Sequence, residues 1–378
     1  MAVENGLIGD IRGIISQARS LTRRSIDSLQ VVSNYLIGRR IVEEEQDGKE
    51  RAEYGKETLK FLSAKLTREF GKGYSLSNLK YMRKFYLTYM QGIEEKISPM
   101  PLISADKQKR QTLSALFVDG IARAESDTLN LLEIGQTLSG LLPLSWSHYL
   151  FLMSISHNDE RRFYEIESEN EHWSLRELKR QFNTSLYERL ALSADKAGVK
   201  KLSERGQVIE SHSDVIKDPL VLEFLGLEED HRYSETDLET AIINKLEHFI
   251  LELGKGFLFE SRQKRISFDE DHFFVDLVFY NRLLRCYVII DLKIGELKHQ
   301  DLGQMQMYVN YFDRYVKLED EQPTIGIILC KKKKDSLVEI TLPKNANIHA
   351  AKYQTYLPDK ELLKKQLDEA QTEWEARQ

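Results

Sequence analysis

The alternation of apolar and polar positions divides the chain into a helical first half and a mixed second half. From Ile8 to about Glu45 apolar residues recur at three and four, as Ile11, Ile14, Ile15 and Ala18 and again as Leu29, Val32, Leu36 and Ile37. This spacing predicts an amphipathic helix, long or broken once. A run from Leu59 to Phe70 stops at Gly71-Lys72-Gly73, and another starts after Ser75 through Leu79, Met82, Tyr86 and Leu87. Glycine at the stop and serine at the restart are cap residues, so two helices across a tight turn are expected within 56–90, the outline of a helix-turn-helix. A proline-bearing connector (Pro99 to Ala105) and a charged run (Lys107 to Arg110) follow, and helical periodicity resumes from Leu113. Trp146, His148 and Trp173 sit among apolar residues at helical spacing, which favours packing over a site.

Asp195 to Asp214 has few large apolar residues and no sustained period. It is read as a linker, giving a helical domain at 1–194, a linker at 195–215 and an α/β domain at 216–378. In the last of these, Asp237 to Leu253 carries Ile242, Ile243, Leu246, Phe249, Ile250 and Leu253 on one stripe. Strands are predicted at Phe257 to Ser261, Lys264 to Phe268, twice within Phe273 to Lys293, at Thr324 to Cys330 and at His349 to Leu357. Helices are predicted at His299 to Tyr315 and Asp359 to Arg377.

Composition changes this picture only locally. Apolar residues make up 41% and charged residues 30% of the 378, enough for buried cores under a well-solvated surface. The net charge of -6 supplies no general attraction for nucleic acid, so a local patch must do so. Lys65, Arg68, Lys72, Lys80, Arg83 and Lys84 face only Glu69 between positions 65 and 84. If the second helix of this pair enters a groove, Asn78, Lys80, Tyr81, Arg83 and Lys84 are the candidate contacts, joined by Lys72 in the turn; the alternative is an ordinary helical hairpin with a solvated basic face. The two cysteines, Cys286 and Cys330, lie in predicted apolar strands and read as buried free thiols of a cytoplasmic protein. The longest apolar stretch, Leu141 to Ser156, is short and interrupted, so no membrane span is expected.

The chemistry concentrates in FFVDLVFYNRLLRCYVIIDLK, Phe273 to Lys293. Asp276 interrupts an apolar strand, and Asp291 and Lys293 close the next with one residue between them, hence on one face. Carboxylates so placed are costly unless compensated, and a divalent cation with a converging lysine is one compensation; a structural salt bridge is the other. A two-residue turn at Asn281-Arg282 would pair Asp276 with Tyr287 and leave Asp291 on the order of 13 Å away. For the two acids to face each other, either the reversal centres between Leu283 and Leu284 or a bulge shifts the register; the looser reversal is predicted. Glu239 falls within the apolar stripe of its helix, an inward acid that serves either the site or the helix amino end.

Asp followed by Asp-x-Lys at the end of a strand hairpin resembles the PD-(D/E)XK nucleases, with Val275 where a proline is usual. Together with LELGKGF at Leu251 to Phe257 and GQMQMYVNYFD at Gly303 to Asp313, it resembles the YhcG family over nearly the whole chain. The resemblance implies a restriction-endonuclease-like α/β domain, a mixed sheet flanked by helices, behind an all-α amino-terminal domain. It also implies metal-dependent hydrolysis of DNA, often by dimers or higher homo-oligomers. Asp276, Asp291, the Leu292 backbone carbonyl and Glu239 would supply hard oxygen ligands for Mg2+, with Mn2+ able to substitute, and Lys293 would orient water or offset phosphate charge. Gln304 and Tyr308, four apart on one helix face, resemble the Gln-x-x-x-Tyr substrate contact of the RecB-like branch; packing of Tyr308 on the sheet is the ordinary alternative. Two other functions stand beside this one: a non-catalytic nucleic-acid-binding or assembly module that keeps the fold, and a nuclease directed at RNA.

Overall fold

The protein is described by a computed structural model over residues 27–45, 52–97, 138–192, 196–227, 233–268, 270–343 and 346–376. The expectations for residues 8–26, 98–110 and the helix from Leu113 lie outside the described residues. The chain divides into two compact units between Arg161 and Arg162.

The first unit contains α1 (27–45), α2 (Ala52–Phe70), α3 (Leu76–Ile97) and α4 (Trp146–Leu152). The stop and restart fall where the cap residues placed them. Gly71 takes φ 90, a left-handed value that favours glycine. One 3-10 turn, Lys72–Tyr74, follows. Ser75 Oγ then accepts the Asn78 amide at 3.3 Å, satisfying one of the amino-terminal donors of α3. Ile41, Leu59, Leu79 and Met82 are buried together, with Trp146 packed against them. The Phe85 ring lies 5.2 Å from that of Trp146 and 4.9 Å from that of Tyr149, so Trp146 serves the core.

The second unit takes in the greater part of α5 (Asn158–Asn170), then α6 (Leu175–Asn183), α7 (Leu186–Leu192) and α8 (Lys196–Arg205). The 195–215 stretch, read from sequence as a linker, thus holds a helix and a 3-10 turn at His212–Val215. Val199, Leu202 and Val215 are buried and Ile209 packs against the core while Val208 stays exposed, so a weak hydrophobic pattern still orders.

A six-stranded sheet follows in the order β1 (Leu220–Val221), β6 (Ile348–Gln354), β5 (Ile325–Lys332), β4 (Cys286–Glu296), β3 (Asp271–Asn281), β2 (Phe257–Phe268). The strands from β1 to β4 in that order run parallel, whereas β4, β3 and β2 form an antiparallel meander. On one face lie α9 (Glu235–Asn244) and α10 (Leu246–Leu253), whose Leu238, Ile242, Phe249 and Leu253 bury against Leu277, Phe279, Ile290 and Ile327. On the other lies α11 (His299–Tyr315), burying Leu302, Met305, Tyr308 and Phe312 against Val278, Ile289 and Ile328. α12 (Asp335–Thr341) and α13 (Lys360–Ala376) complete the unit.

The single helix expected over Asp237 to Leu253 is two. It breaks at Lys245, φ -124, whose amide still bonds the Ile242 and Ile243 carbonyls; residues of both halves of the apolar stripe bury in one core. Glu252 lies on that stripe, three residues beyond Phe249, and is fully buried. Arg189 Nη1 donates to its Oε1 at 2.8 Å, Arg180 Nη2 approaches Oε2 at 3.3 Å, and the Val221 amide donates to Oε1 at 3.0 Å. Burial works to raise the Glu252 carboxyl, but Arg189, Lys217 and Arg180 together hold it below its ordinary range. Lys217 donates to the Glu252 carbonyl, and burial pushes its ammonium down to about 8. This ionic cluster fastens α6 and α7 to the sheet.

Candidate active site

The hairpin register decides whether the acids meet. Asn281 pairs with Cys286, Tyr280 with Tyr287, and so on to Leu277 with Ile290, so the next position in the ladder sets Asp276 opposite Asp291. The reversal is the looser one, four residues centred between Leu283 and Leu284. Asn281, fully buried, builds it: its Oδ1 accepts the Leu283 and Leu284 amides at 3.0 and 3.1 Å, and its Nδ2 donates to the Lys255 carbonyl at 3.0 Å. Gly256, φ 82, makes room, since a Cβ there would come 2.8 Å from Leu283 Cγ and 2.9 Å from Asn281 Oδ1.

Past Leu277 and Ile290 the strands exchange ladder bonds for side-chain bonds. Asp276 Oδ2 accepts the Leu292 amide at 2.8 Å, and the Leu292 carbonyl leaves an extended strand on the same side as its amide, toward Asp276. Asp291 is 3% exposed. Its Oδ2 lies 2.9 Å from Lys293 Nζ yet makes no hydrogen bond of acceptable geometry, a buried carboxylate oxygen only partly compensated. Burial first, and the neighbouring Asp276 carboxylate next, push the Asp291 carboxyl up to about 6 against the pull of Lys293. Burial by itself would lower the Lys293 ammonium, but Asp291, Glu235 and Asp276 raise it, so the lysine stays charged. Glu235 Oε2 stands 3.7 Å from Lys293 Nζ.

Glu239 is buried at 7% exposure, as its place on the stripe implied. It reaches the aspartates through Gln263, whose Nε2 donates to Glu239 Oε2 at 2.6 Å and to Asp276 Oδ1 at 3.1 Å. Among the described residues no three acids, histidines or cysteines form a ready-made metal cluster. The donor set nevertheless fits a hard divalent cation: two facing carboxylates, one with an unsatisfied buried oxygen, beside a carbonyl and a third carboxylate. Sequence reasoning missed Gln263 because it split β2 into two strands at that point. The break itself was the signal, for Gln263 has φ 47 within a continuous strand.

Tyr308, 1% exposed, accepts from Gln304 Nε2 and donates to the Phe274 carbonyl at 3.0 Å, two residues from Asp276. Burial, and then Asp291 and Asp276, raise its phenol. Gln306 bonds Asn310 instead.

Several other cations among the described residues are occupied. In the run of four lysines, Lys331 lies over the Tyr233 ring, Lys333 pairs with Asp218 and Lys334 pairs with Glu296. In the first unit, Arg83 Nε pairs with Glu45 at 2.7 Å, Lys84 Nζ donates to the Met153 carbonyl at 2.6 Å, and Asn78 Nδ2 donates to the Gly73 carbonyl at 3.0 Å. Lys72 and Lys80 are exposed. Cys286 and Cys330 are free and buried, and burial pushes their thiols up to about 12 and about 11.

A mixed sheet covered by helices on both faces, with Asp opposite Asp-x-Lys where a central hairpin opens, defines the PD-(D/E)XK nuclease class. Residues 213–368 match the family described as the YhcG PDDEXK nuclease domain, and residues 10–189 match the DUF1016 N-terminal domain. The Escherichia coli (strain K12) protein named "Putative nuclease YhcG" is 40% identical over 357 residues, 94% of this chain and 91% of that one. The chain belongs to the YhcG family. Among solved structures, a repair endonuclease from Pyrococcus abyssi and an EndoMS–dsDNA2 complex each match at 16% identity over 35% of this chain and 50% of theirs. Their TM-scores are 0.23 and 0.24. Among the described residues no helix is long and apolar enough to cross a membrane.

Proposed function

We propose that the second unit hydrolyses internal phosphodiester bonds of DNA with Mg2+, which Mn2+ can replace. The observation that carries this reading is the register that faces Asp276 with Asp291 while Lys293 sits on the latter. Asp276, Asp291, the Leu292 carbonyl and Glu239 would hold the cation. When bound, it supplies Lewis-acid polarisation of the phosphate and acidifies water. Lys293, kept charged by its acidic neighbours, holds the attacking water in line and offsets charge that develops on the phosphate oxygens. Gln304, partly exposed, turns toward the substrate backbone, while the buried Tyr308 holds it in place from beneath and ties the pair to β3.

The α2–α3 pair is the proposed DNA-holding element, with Lys72 and Lys80 open to phosphates. Asn78, Arg83 and Lys84 join them only by releasing Gly73, Glu45 and Met153.

The test is cleavage of supercoiled and circular single-stranded DNA, with circular RNA in parallel, in Mg2+ or Mn2+. Wild-type protein nicks or linearises the DNA, whereas Asp291→Ala and Lys293→Ala lose at least ~100-fold in rate. Equal cleavage by wild type and variants would overturn the assignment of these residues. Preference for RNA would overturn the substrate, and wild-type binding without cleavage would leave the family's fold in a binding role.

A further inference from the structure

We propose that the side-chain amide of Gln263 is a cation substitute: it bridges Glu239 and Asp276 and must withdraw before the site accepts a divalent ion. This deepens the metal-dependent reading above and rests on it.

Three independent observations converge on Gln263. The flanking pairs Arg262 with Leu277 and Lys264 with Val275 place it opposite Asp276 in the β2–β3 ladder. Its backbone is left-handed, φ 47, inside a strand, where a non-glycine residue is rare and strained. Its Nε2 touches both carboxylates, at 2.6 and 3.1 Å. The nitrogen must face them, because the amide oxygen has no proton to offer and would be repelled by both. A neutral donor satisfies lone pairs without cancelling charge, so two carboxylates sharing one amide remain a strong attraction for a cation. The oxygens that Gln263 occupies are those a third carboxylate would lend to the ion, which is also why Glu239 does not join Asp276 and Asp291 directly. Entry of the ion and release of the amide are therefore one exchange, and the amide lowers the apparent affinity by the strength of the two bonds that must be broken.

The experiment titrates the full chain with MnCl2 by calorimetry, without nucleic acid. The variants are Gln263→Asn, Gln263→Met and Asp276→Asn. Asparagine tolerates the left-handed backbone best and is too short to bridge both acids, so this variant folds if the position allows any change. Methionine keeps the length and removes the donor. Both Gln263 variants are expected to bind Mn2+ at least about tenfold more tightly than wild type, tenfold being the value of a single one of the two charge-assisted hydrogen bonds. Their melting temperatures fall without metal and rise further than wild type on adding it. Unchanged or weaker binding in both overturns the proposal, weaker binding meaning that the amide oxygen is itself a ligand. Asp276→Asn separates this from the underlying reading: if it binds Mn2+ as wild type does, the metal site has been misplaced and the reading above fails as well.

Discussion

Asp291 illustrates how a reactive position is held against the preference of the fold. Its carboxyl is pushed up to about 6 from an ordinary value of 3.8, so the folded chain disfavours the ionised form. The folded protein binds the proton more tightly than the unfolded one, and stability falls as pH rises from about 4 through 6 and then levels. Asp291→Asn is expected to stabilise the metal-free protein by about 1 to 2 kcal/mol at pH 7.5 and by almost nothing at pH 4, while abolishing cleavage. Urea unfolding at the two pH values checks this; a variant less stable than wild type at pH 7.5 contradicts it. Tyr308 is the opposite case, a proposed site residue whose buried hydroxyl also supports the fold. Tyr308→Phe leaves the Phe274 carbonyl unpaired beside the site and should cost about 1 to 2 kcal/mol in the same assay.

At the scale of elements, the hairpin reversal sets the site, and one buried amide sets the reversal. Asn281→Ala removes bonds to Leu283, Leu284 and Lys255 and is expected to cost about 2 to 4 kcal/mol. Gly256→Ala forces a Cβ into Leu283 and into Asn281 Oδ1 and should lower both stability and cleavage, because the strand register depends on that corner. Denaturation and nicking assays on each variant decide. If either retains full stability, the corner does not hold the register. This register was legible from the sequence, because a two-residue turn leaves Asp276 and Asp291 far apart and a reversal between Leu283 and Leu284 brings them together; the bulge that could also have done so is absent from the β3–β4 ladder. The caps at Gly71 and Ser75 were legible for the same reason, being local chemistry. Gln263 was legible only as a break in the strand pattern: no propensity places a left-handed glutamine there, and the two acids it bridges are remote in sequence. The break at Lys245 was hidden, since one continuous stripe fits one helix as well as two.

Across the whole molecule, the division of the chain follows buried charge more than hydrophobic pattern. Glu252 is closed in by Arg189, Arg180 and Lys217, and Glu167 by Lys255 at 2.9 Å, so residues 162–215 belong with the sheet. A chain reduced to residues 213–378 exposes that cluster unpaired and is expected to be insoluble, whereas 162–378 is expected to fold; soluble expression and thermal unfolding compare them. Lys217 supplies a pH signature of the same cluster. Its folded value of about 8 lies below the ordinary 10.5, so its charge costs about 3 kcal/mol at neutral pH, a penalty relieved as pH climbs from 8 to 10.5. The stability difference between wild type and Lys217→Met should therefore change steeply across that window, and a flat difference would show that the ammonium is not buried. Sequence reading missed this level because charged side chains at helical spacing look like a solvated face, and only their convergence on Glu252 distinguishes them.

The two cysteines lend the same architecture a built-in clock. Cys286 opens β4, the strand that carries Asp291 and Lys293, and Cys330 lies beside it in β5, both sealed and held protonated. A thiol-labelling reagent can reach them only when those strands part. The labelling rate of the native chain thus times the excursions of the strands that bear the site.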